Sequence, residues 1–133
     1  MRVSELMQPD VKTVSPDAAV AEVIVTLADA HVSSVPVVDH HHRVLGVLST
    51  TDVIAAEAEA QDGEARAVLT EKSQARDLMT PNAVVVSPDT DVREAARTML
   101  YADVHRLYVV EHGKLVGVIS TTDIVRAVAN GRL

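Results

Sequence analysis

The chain contains no cysteine, tryptophan or phenylalanine, and only two tyrosines among its 133 residues. Without cysteine it can form neither a disulfide framework nor a thiolate metal site. Because large aromatic side chains are almost absent, the core must be built from Val, Leu, Ile, Ala and Met. Hydrophobic residues nevertheless make up 47% of the chain and charged residues 23%, a balance that is typical of a globular protein.

Two further absences limit the expected compartment and partners. No apolar run approaches the roughly 18–20 residues that cross a bilayer, and the opening MRVSELMQPD lacks the apolar stretch of a signal peptide. We therefore expect a cytoplasmic protein. The formal net charge of −7 makes nucleic acid an improbable partner, because a nucleic-acid backbone requires a basic surface. Any phosphate-bearing ligand must be held by local donors, since the overall field repels it.

The chain contains one sequence pattern that occurs twice. ELMQPDVKTVSPDAAVAEV at 5–23 aligns with DLMTPNAVVVSPDTDVREA at 77–95, an offset of 72 residues. The offset then falls to 71, and GVLSTTDV at 46–53 aligns with GVISTTDI at 117–124. The change arises where DHHHR is one residue longer than EHGK, a difference that a surface turn tolerates.

Each repeat has the same predicted elements, in the order strand, helix, strand, strand, helix. Ser-Pro-Asp predicts the start of the first helix, because Ser caps free amides, Pro suits the first turn and Asp favours the positive end of the dipole. An apolar stripe with helical spacing follows it. Two β-branched runs then predict an antiparallel hairpin, and a second helix starts within Ser-Thr-Thr-Asp. The hairpin runs are 34–39 with 43–49, and 106–111 with 114–120.

The duplication predicts the domain organisation. We assign repeat 1 to residues 1–60, a helical linker to 61–75 and repeat 2 to 76–133. The linker is charged and Ala-rich and is interrupted at Asp62–Gly63, which indicates a helix extension, a break and a second short helix. One repeat alone would bury too little surface to be stable. We therefore predict an α/β (α+β) fold in which two β-α-β-β-α repeats pack through their sheets with pseudo-twofold symmetry.

The strand-to-helix junction Ser-Thr-Thr-Asp is the place where chemistry is expected. Unpaired backbone amides at a helix start, next to hydroxyl groups, form an anion cradle. The Asp that follows can accept hydrogen bonds from a vicinal diol such as a ribose. Ser or Thr followed by Asp at a helix start is also an ordinary cap, so one copy would indicate no ligand. Two copies at fixed spacing favour a ligand site, although repeated architecture also repeats its caps.

These motifs resemble those of a tandem pair of cystathionine-β-synthase (CBS) domains, also called a Bateman module. The resemblance rests on the openings LMQP and LMTP, on VSPD before the first helix, on VPVVD and LYVVE, and on GVLSTTDV and GVISTTDI. Each motif is short, but together, in this order and duplicated, they cover nearly the whole chain. The resemblance implies binding of adenosine-containing ligands such as AMP, ADP, ATP or S-adenosylmethionine, in two clefts between the repeats.

The resemblance also implies a role for individual residues. Asp52 and Asp123 would hold ribose hydroxyls, and Ser49 and Ser120 with the following Thr would face phosphate. The base would lie near Lys12–Thr13 and Val35–Pro36 in one site, and near Val84–Val85 and Leu107–Tyr108 in the other. The full predicted set comprises Lys12, Thr13, Pro36, Ser49, Thr50 and Asp52 for one site, and Val84, Val85, His105, Arg106, Tyr108, Ser120, Thr121 and Asp123 for the other.

The two predicted sites differ in chemistry. The second copy has His105–Arg106 where the first has Ser33–Ser34. Arg106 can make charge-assisted, bidentate bonds to phosphate, which favours the second copy for an anionic ligand. The alternative is that Arg106 pairs with a neighbouring acid on a solvated surface. Tyr108 stands where the family often has Pro, and it either stacks on a base or fills the cleft.

Neither a metal site nor catalysis is predicted. The run His40–His42, with His31 and His112 elsewhere in the pattern, invites a metal reading. Consecutive residues at a strand end point in different directions, whereas imidazole ligands usually come from spaced positions, so an exposed turn is the better interpretation. No nucleophile, base and acid set is evident.

The sequence thus predicts a stand-alone regulatory module rather than an enzyme. It needs no cofactor and takes an adenine nucleotide as its regulatory ligand. Its expected partners are the nucleotide, an unidentified regulated protein and a second copy in a homodimer, which would bury the outward apolar faces of helices such as 20–30 and 92–102. The alternative is a scaffold or dimerisation module with no bound nucleotide. A metal or nucleic-acid role is a weaker third hypothesis.

Overall fold

The structure is a computed structural model that describes all residues, Met1–Leu133, and it divides into two compact units. The first-copy unit is Lys12–Ala83, and the second-copy unit comprises Met1–Val11 together with Val84–Leu133. The first eleven residues therefore belong in space to the unit that contains the second copy. The boundaries 1–60, 61–75 and 76–133 describe the sequence repeats and stay a prediction.

The first-copy unit places four helices around a three-stranded sheet. Strands β1 and β2 form the antiparallel hairpin predicted from sequence, and β3 pairs antiparallel with the other edge of β2. Asp62 caps α3 through its side chain, at the predicted break in the linker. The elements are α1 (Val20–Ala30), β1 (Ser34–Val38), β2 (Val44–Ser49), α2 (Thr50–Glu59), α3 (Gly63–Lys72), α4 (Ala75–Leu78) and β3 (Thr80–Pro81).

The second-copy unit has its own three-stranded sheet, in the order β4-β5-β6. Strand β4 runs parallel to β5, and β5 forms the predicted antiparallel hairpin with β6. The elements are a 3-10 helix (Val3–Glu5), β4 (Val85–Val86), α5 (Val92–Ala102), β5 (Arg106–Glu111), β6 (Lys114–Ser120) and α6 (Thr121–Ala129). Both units thus mix helices with a sheet, which confirms the α+β class.

Each unit has a separate aliphatic core, as the scarcity of aromatic residues required. The predicted stripe on α1 is buried at Val20, Val23 and Leu27, whereas Ile24 is more than a third exposed. On α5, Val92, Ala95 and Met99 are buried. None of the helices is both long enough and apolar enough to cross a membrane.

The predicted start of the first helix in each copy is wrong. Helix α1 begins at Val20 and α5 at Val92, several residues after Ser-Pro-Asp. Instead, Ser15 and Ser87 form turns in which each hydroxyl accepts a hydrogen bond from the amide of the Asp two residues later. The helix starts later because its first buried apolar residue comes only after this polar turn.

The two Asp residues of these turns form ion pairs instead of lying at the positive end of a helix dipole. Asp17 pairs with Arg76, and Asp89 lies 3.4 Å from Arg2 Nη1. In each case the arginine precedes an LMxP segment, the name used here for residues 6–9 and 78–81. All four side chains are largely exposed, so each pair contributes at most about 1 kcal/mol.

The LMxP segments complete the two sheets at equivalent places. Gln8 exchanges backbone hydrogen bonds of 2.8 and 3.0 Å with Val118 on β6, while β3, which contains Thr80, pairs with β2. The segment that opens repeat 1 therefore lies on the second-copy sheet, and the segment that opens repeat 2 lies on the first-copy sheet. This arrangement places both segments next to the Ser-Thr-Thr-Asp junctions.

Candidate functional site

At both junctions the Ser and the Asp hold each other in a reciprocal cap. In the second copy, the Ser120 amide and hydroxyl donate to Asp123 Oδ2 at 2.8 and 2.9 Å, and the Asp123 amide donates to the Ser120 hydroxyl at 3.2 Å. Ser49 and Asp52 make the same three bonds at 2.9, 2.9 and 3.1 Å. The capping role is therefore real. It uses Oδ2 of each carboxylate and leaves Oδ1 directed elsewhere.

The Oδ1 atoms face the LMxP segments, which the sequence reasoning did not include in the site. Thr80 Oγ1 donates to Asp52 Oδ1 at 3.4 Å, and Gln8 Nε2 donates to Asp123 Oδ1 at 3.3 Å. Gln8 and Thr80 occupy the same position of the repeat, 72 residues apart. The repetition of the LMxP motif in the sequence is the feature that could have predicted Gln8 and Thr80 as residues of the site.

The glycine of each junction phrase makes this approach possible. A Cβ added at Gly46 would lie 2.6 Å from the Thr80 carbonyl oxygen, and one at Gly117 would lie 2.8 Å from Met7 Sδ and 3.0 Å from the Gln8 carbonyl oxygen. Real Cβ atoms essentially never lie 2.6 Å from a backbone oxygen, and 3.0 Å is unusually close. The repeated Gly is therefore needed where the LMxP segment crosses the strand.

In the second-copy unit, three neighbouring strands bring most of the predicted residues together. Arg106 lies directly opposite Ser120 in the β5–β6 pair, and Tyr108 lies opposite Val85 in the β4–β5 pair. The Thr121 amide donates to the His105 carbonyl oxygen at 2.9 Å. Arg106, Ser120, Thr121 and Asp123 thus share the end of the sheet at which α6 begins.

The side chains at this end differ in accessibility. Val84 and Val85 are 40% and 44% exposed, so they offer apolar surface to a ligand. Tyr108 is only 2% exposed, which favours the alternative in which its ring fills space rather than stacks on a base. Arg106 takes part in none of the ion pairs found in the chain.

The first-copy unit assembles its predicted residues in the same way. The chain around Thr13 runs beside β1, because the Val14 amide donates to the Pro36 carbonyl oxygen at 3.1 Å. Ser34 lies opposite Ser49, and the Thr50 amide donates to the Ser33 carbonyl oxygen at 2.9 Å. Thr13 therefore lies beside Pro36 of β1, and Ser49 and Asp52 lie at the end of the same sheet where α2 begins. Lys12 is exposed. No arginine lies opposite Ser49.

The histidines occupy turns. His31, His42 and His112 adopt positive φ angles of 54°, 64° and 53°, a left-handed conformation in which His is enriched. In the β1–β2 turn, the Asp39 carboxylate accepts from the amides of Arg43 and His41, and these bonds hold the pKa of Asp39 below its usual value. No group of three or more His, Cys, Asp or Glu side chains lies close enough to hold a metal ion.

Comparisons with known proteins agree with this architecture. The chain is similar to CBSX2 of Arabidopsis thaliana in its crystal structure in complex with AMP, with a TM-score of 0.84 and 29% identity, over 99% of this chain and 98% of that one. In Methanocaldococcus jannaschii it is 30% identical to the uncharacterized protein MJ1225 and to inosine-5'-monophosphate dehydrogenase. The chain spans 41% and 23% of the length of these two relatives.

A family model for the CBS domain matches residues 3–59 and 75–130. The two matched ranges coincide with the two copies of the repeat, and each includes one LMxP segment and one Ser-Thr-Thr-Asp junction. The chain therefore belongs to the CBS domain family and carries two CBS domains in tandem.

Proposed function

We propose that this chain is a regulatory module that binds an adenosine-containing ligand at its two Ser-Thr-Thr-Asp junctions. The observation that carries the proposal is the second-copy junction, where an oriented carboxylate, a helix start and an unpaired guanidinium lie on adjacent elements. The similarity to CBSX2, whose structure contains AMP, supports the same ligand class.

The second-copy residues have chemistry that suits a nucleotide. Asp123 Oδ1 accepts from a ribose diol, because the cap with Ser120 orients the carboxylate. Arg106 and the Thr121 hydroxyl supply donors to phosphate, whereas the backbone amides of Ser120, Thr121 and Asp123 are already paired within the junction. His105 precedes Arg106, and its carbonyl oxygen accepts from the Thr121 amide at 2.9 Å. An anionic ligand is therefore held by local donors, as the net charge of the chain requires.

The base has an apolar surface beside it. In this proposal Val84 and Val85 contact one face of the adenine. Tyr108 is buried and fills space beside them rather than stacking on the base. In the first-copy site, Pro36 and Thr13 take the corresponding place, and Ser49, Thr50 and Asp52 act on phosphate and ribose. The only cation in the predicted set of this site is Lys12, and no arginine lies opposite Ser49. We therefore expect the second site to bind anionic ligands more tightly.

Signalling in this proposal is a shift of population. A ligand that binds one conformation better than another favours that conformation by its differential affinity. The response is then transmitted through a partner protein or through the oligomeric state, in the cytoplasm and without catalysis of any reaction by this chain.

A thermal-shift titration tests the ligand class. AMP, ADP, ATP, S-adenosylmethionine and NAD are each titrated, with GMP as an anionic control that lacks adenine. A ligand at 100 times its Kd stabilises the native state by about 2.7 kcal/mol, which corresponds to a rise of roughly 10 °C in Tm for a chain of this size. We expect a concentration-dependent rise for at least one adenosine ligand and a smaller one for GMP. If no adenosine ligand raises the Tm, the proposal fails.

A scaffold or dimerisation role is the second candidate, and exposed apolar side chains favour it. Leu100 and Tyr101 on α5 are 82% and 92% exposed, and Val125 and Val128 on α6 are more than half exposed. In the first-copy unit, Ile54 on α2 is similarly exposed and borders an apolar groove with α1. In a homodimer the same exposed apolar patch of each chain would pack against its equivalent on the partner chain, as a twofold interface requires.

Replacing the most exposed pair tests this homodimer. We expect Leu100→Glu with Tyr101→Glu to convert a dimer to a monomer in sedimentation velocity, because four buried carboxylates, two from each chain, would be unpaired. Val68→Glu on α3 is the control, since Val68 is also exposed but lies on a different helix. A wild-type chain that is monomeric at high micromolar concentration, or a variant that stays dimeric, contradicts the expectation.

A further inference from the structure

The two junction carboxylates have the same cap but different neighbours. Asp123 is 8% exposed and is the one buried charged residue of the chain. Its Oδ1 accepts from Gln8 Nε2 at 3.3 Å and also lies 3.5 Å from Arg126 Nη1. In the first copy, Asp52 Oδ1 receives only the Thr80 hydroxyl at 3.4 Å. The oxygen that the proposed function assigns to the ribose diol is thus already paired with a cation in one site and not in the other.

Arg126 has an alternative place for its guanidinium. Its side chain is 61% exposed and borders a cavity of about 240 Å³ between the first LMxP segment and α6. Arg132, Asn130 and Gln8 also line this cavity and provide further donors, while Glu5 is its second acid besides Asp123. An anionic group of a ligand that enters here meets two arginines, Arg126 and Arg132, among the lining residues.

The first copy is an internal comparison. The residues aligned with Arg126, Asn130 and Arg132 at the offset of 71 are Ala55, Glu59 and Gln61. The corresponding face of α2 therefore has no cation and carries an additional acid. Because the capping bonds at the two junctions agree within 0.1 Å, the difference lies in these side chains and not in the backbone.

A diol that binds Asp123 must share or displace the bonds at Oδ1. A neutral nucleoside displaces Arg126 without giving it a new partner. A nucleoside phosphate offers the released guanidinium an anion, to which Arg makes bidentate, charge-assisted bonds. Binding at the second site should thus depend on the charge of the ligand more strongly than binding at the first site.

We infer that Arg126 is a specificity-determining residue of the second site, which holds Asp123 in the free chain and moves to the phosphate of a bound nucleotide. Arg126 thereby selects nucleoside phosphates against neutral nucleosides. The inference rests on the proposed function, because it requires the diol of an adenosine ligand at Asp123. Arg126 lies on α6 and Arg106 on β5, so the inference adds a cation on a different element from the one that the proposed function uses.

Titration calorimetry with AMP and adenosine tests the inference in the full chain. An Asp52→Ala background removes the first site, and the ratio of the Kd for adenosine to the Kd for AMP is measured for the second. We expect Arg126→Ala to lower this ratio about 5- to 10-fold, because AMP loses an exposed charge-assisted contact while adenosine no longer competes with the guanidinium. Arg126→Lys should lower it less, since it retains the charge without the planar fork.

Two further variants make the test specific. Arg97→Ala on α5 removes the same charge from a residue that does not line the cavity, and it should change the ratio less than twofold. Ala55→Arg in an Asp123→Ala background should raise the ratio at the first site at least about threefold, by the same contact.

The outcomes separate this inference from the function on which it rests. If AMP binds but Arg126→Ala leaves the ratio unchanged, or if Arg97→Ala lowers it equally, Arg126 has no specific role and the inference alone is overturned. If Arg126→Ala weakens AMP and adenosine by the same factor, the residue acts on structure and the inference is also overturned. If neither ligand binds the unmodified chain, the proposed function for these ligands fails as well.

Discussion

Gly46→Ala is expected to lower the free energy of unfolding by about 3 kcal/mol, since it forces a methyl group into a closely packed crossing. The added Cβ would lie 2.6 Å from the Thr80 carbonyl oxygen. That oxygen belongs to a strand paired with β2, and the pairing of Gly46 with Pro81 and of Val47 with Thr80 leaves it little room to move. Urea unfolding, followed by circular dichroism, measures the change.

The equivalent glycine provides a graded comparison. In Gly117→Ala the nearest atom is Met7 Sδ at 2.8 Å, at the flexible end of a side chain, and the nearest backbone atom is the Gln8 carbonyl oxygen at 3.0 Å. We expect a smaller loss of about 1–2 kcal/mol, because the thioether can move aside.

Gly63→Ala is the matched control. Gly63 is the first residue of α3, its added Cβ would meet nothing within 4 Å, and its φ angle is not positive. Alanine there should leave stability unchanged or raise it by up to about 1 kcal/mol, through helix propensity and the entropy of the unfolded chain. If Gly46→Ala proves no more destabilising than Gly63→Ala, the LMxP segment does not cross β2 as closely as described.

Asp123→Ala has the largest expected effect on ligand binding. Loss of the carboxylate removes the acceptor of the diol, and two charge-assisted hydrogen bonds of this kind correspond to roughly 10- to 100-fold or more in affinity. We expect AMP binding at the second site to fall by at least this factor in titration calorimetry. Asp52→Ala should reduce total AMP binding less, because we expect the first site to bind anions more weakly.

Stability separates the capping role of these two residues from their binding role. Each substitution removes one reciprocal cap, so Asp123→Ala and Asp52→Ala should each cost about 1–2 kcal/mol in urea unfolding. The two variants would then be close in stability, with Asp123→Ala losing up to about 1 kcal/mol more through its pair with Arg126, and would differ mainly in affinity. Equal losses of AMP affinity would contradict the preference for the second site, and a stability loss confined to Asp123→Ala would show that the caps are not equivalent.

Much of the local structure was accessible from the sequence. The ranges 106–111 and 114–120 coincide with β5 and β6, and α2 and α6 begin within Ser-Thr-Thr-Asp as predicted. These features depend on short-range rules, since alternating β-branched residues favour a hairpin and a Ser with an Asp three residues later favours a capping box. Such rules act within a few residues, and the sequence displays those residues side by side.

The helix starts show where local rules failed. Ser-Pro-Asp has the composition of a good helix cap. In both copies, however, the Asp pairs with an arginine, Arg2 or Arg76, that precedes an LMxP segment. Asp89 and Arg2 are 87 residues apart. A Ser-Pro-Asp turn with such a partner has the same local sequence as a helix cap, so only the folded chain distinguishes the two.

The sequence by itself determined that this protein is a duplicated, aliphatic α+β chain with two capped strand-to-helix junctions of the CBS type. Only the tertiary structure decided that each LMxP segment completes the sheet of the other copy, that the repeated glycines admit these segments, and that Arg126 approaches Asp123 and not Asp52. Periodicity and capping are encoded within a few neighbouring residues. The pairing of residues 1–11 with 84–133 and the side chains around each carboxylate instead depend on contacts between distant parts of the chain, and their selection requires the packed core.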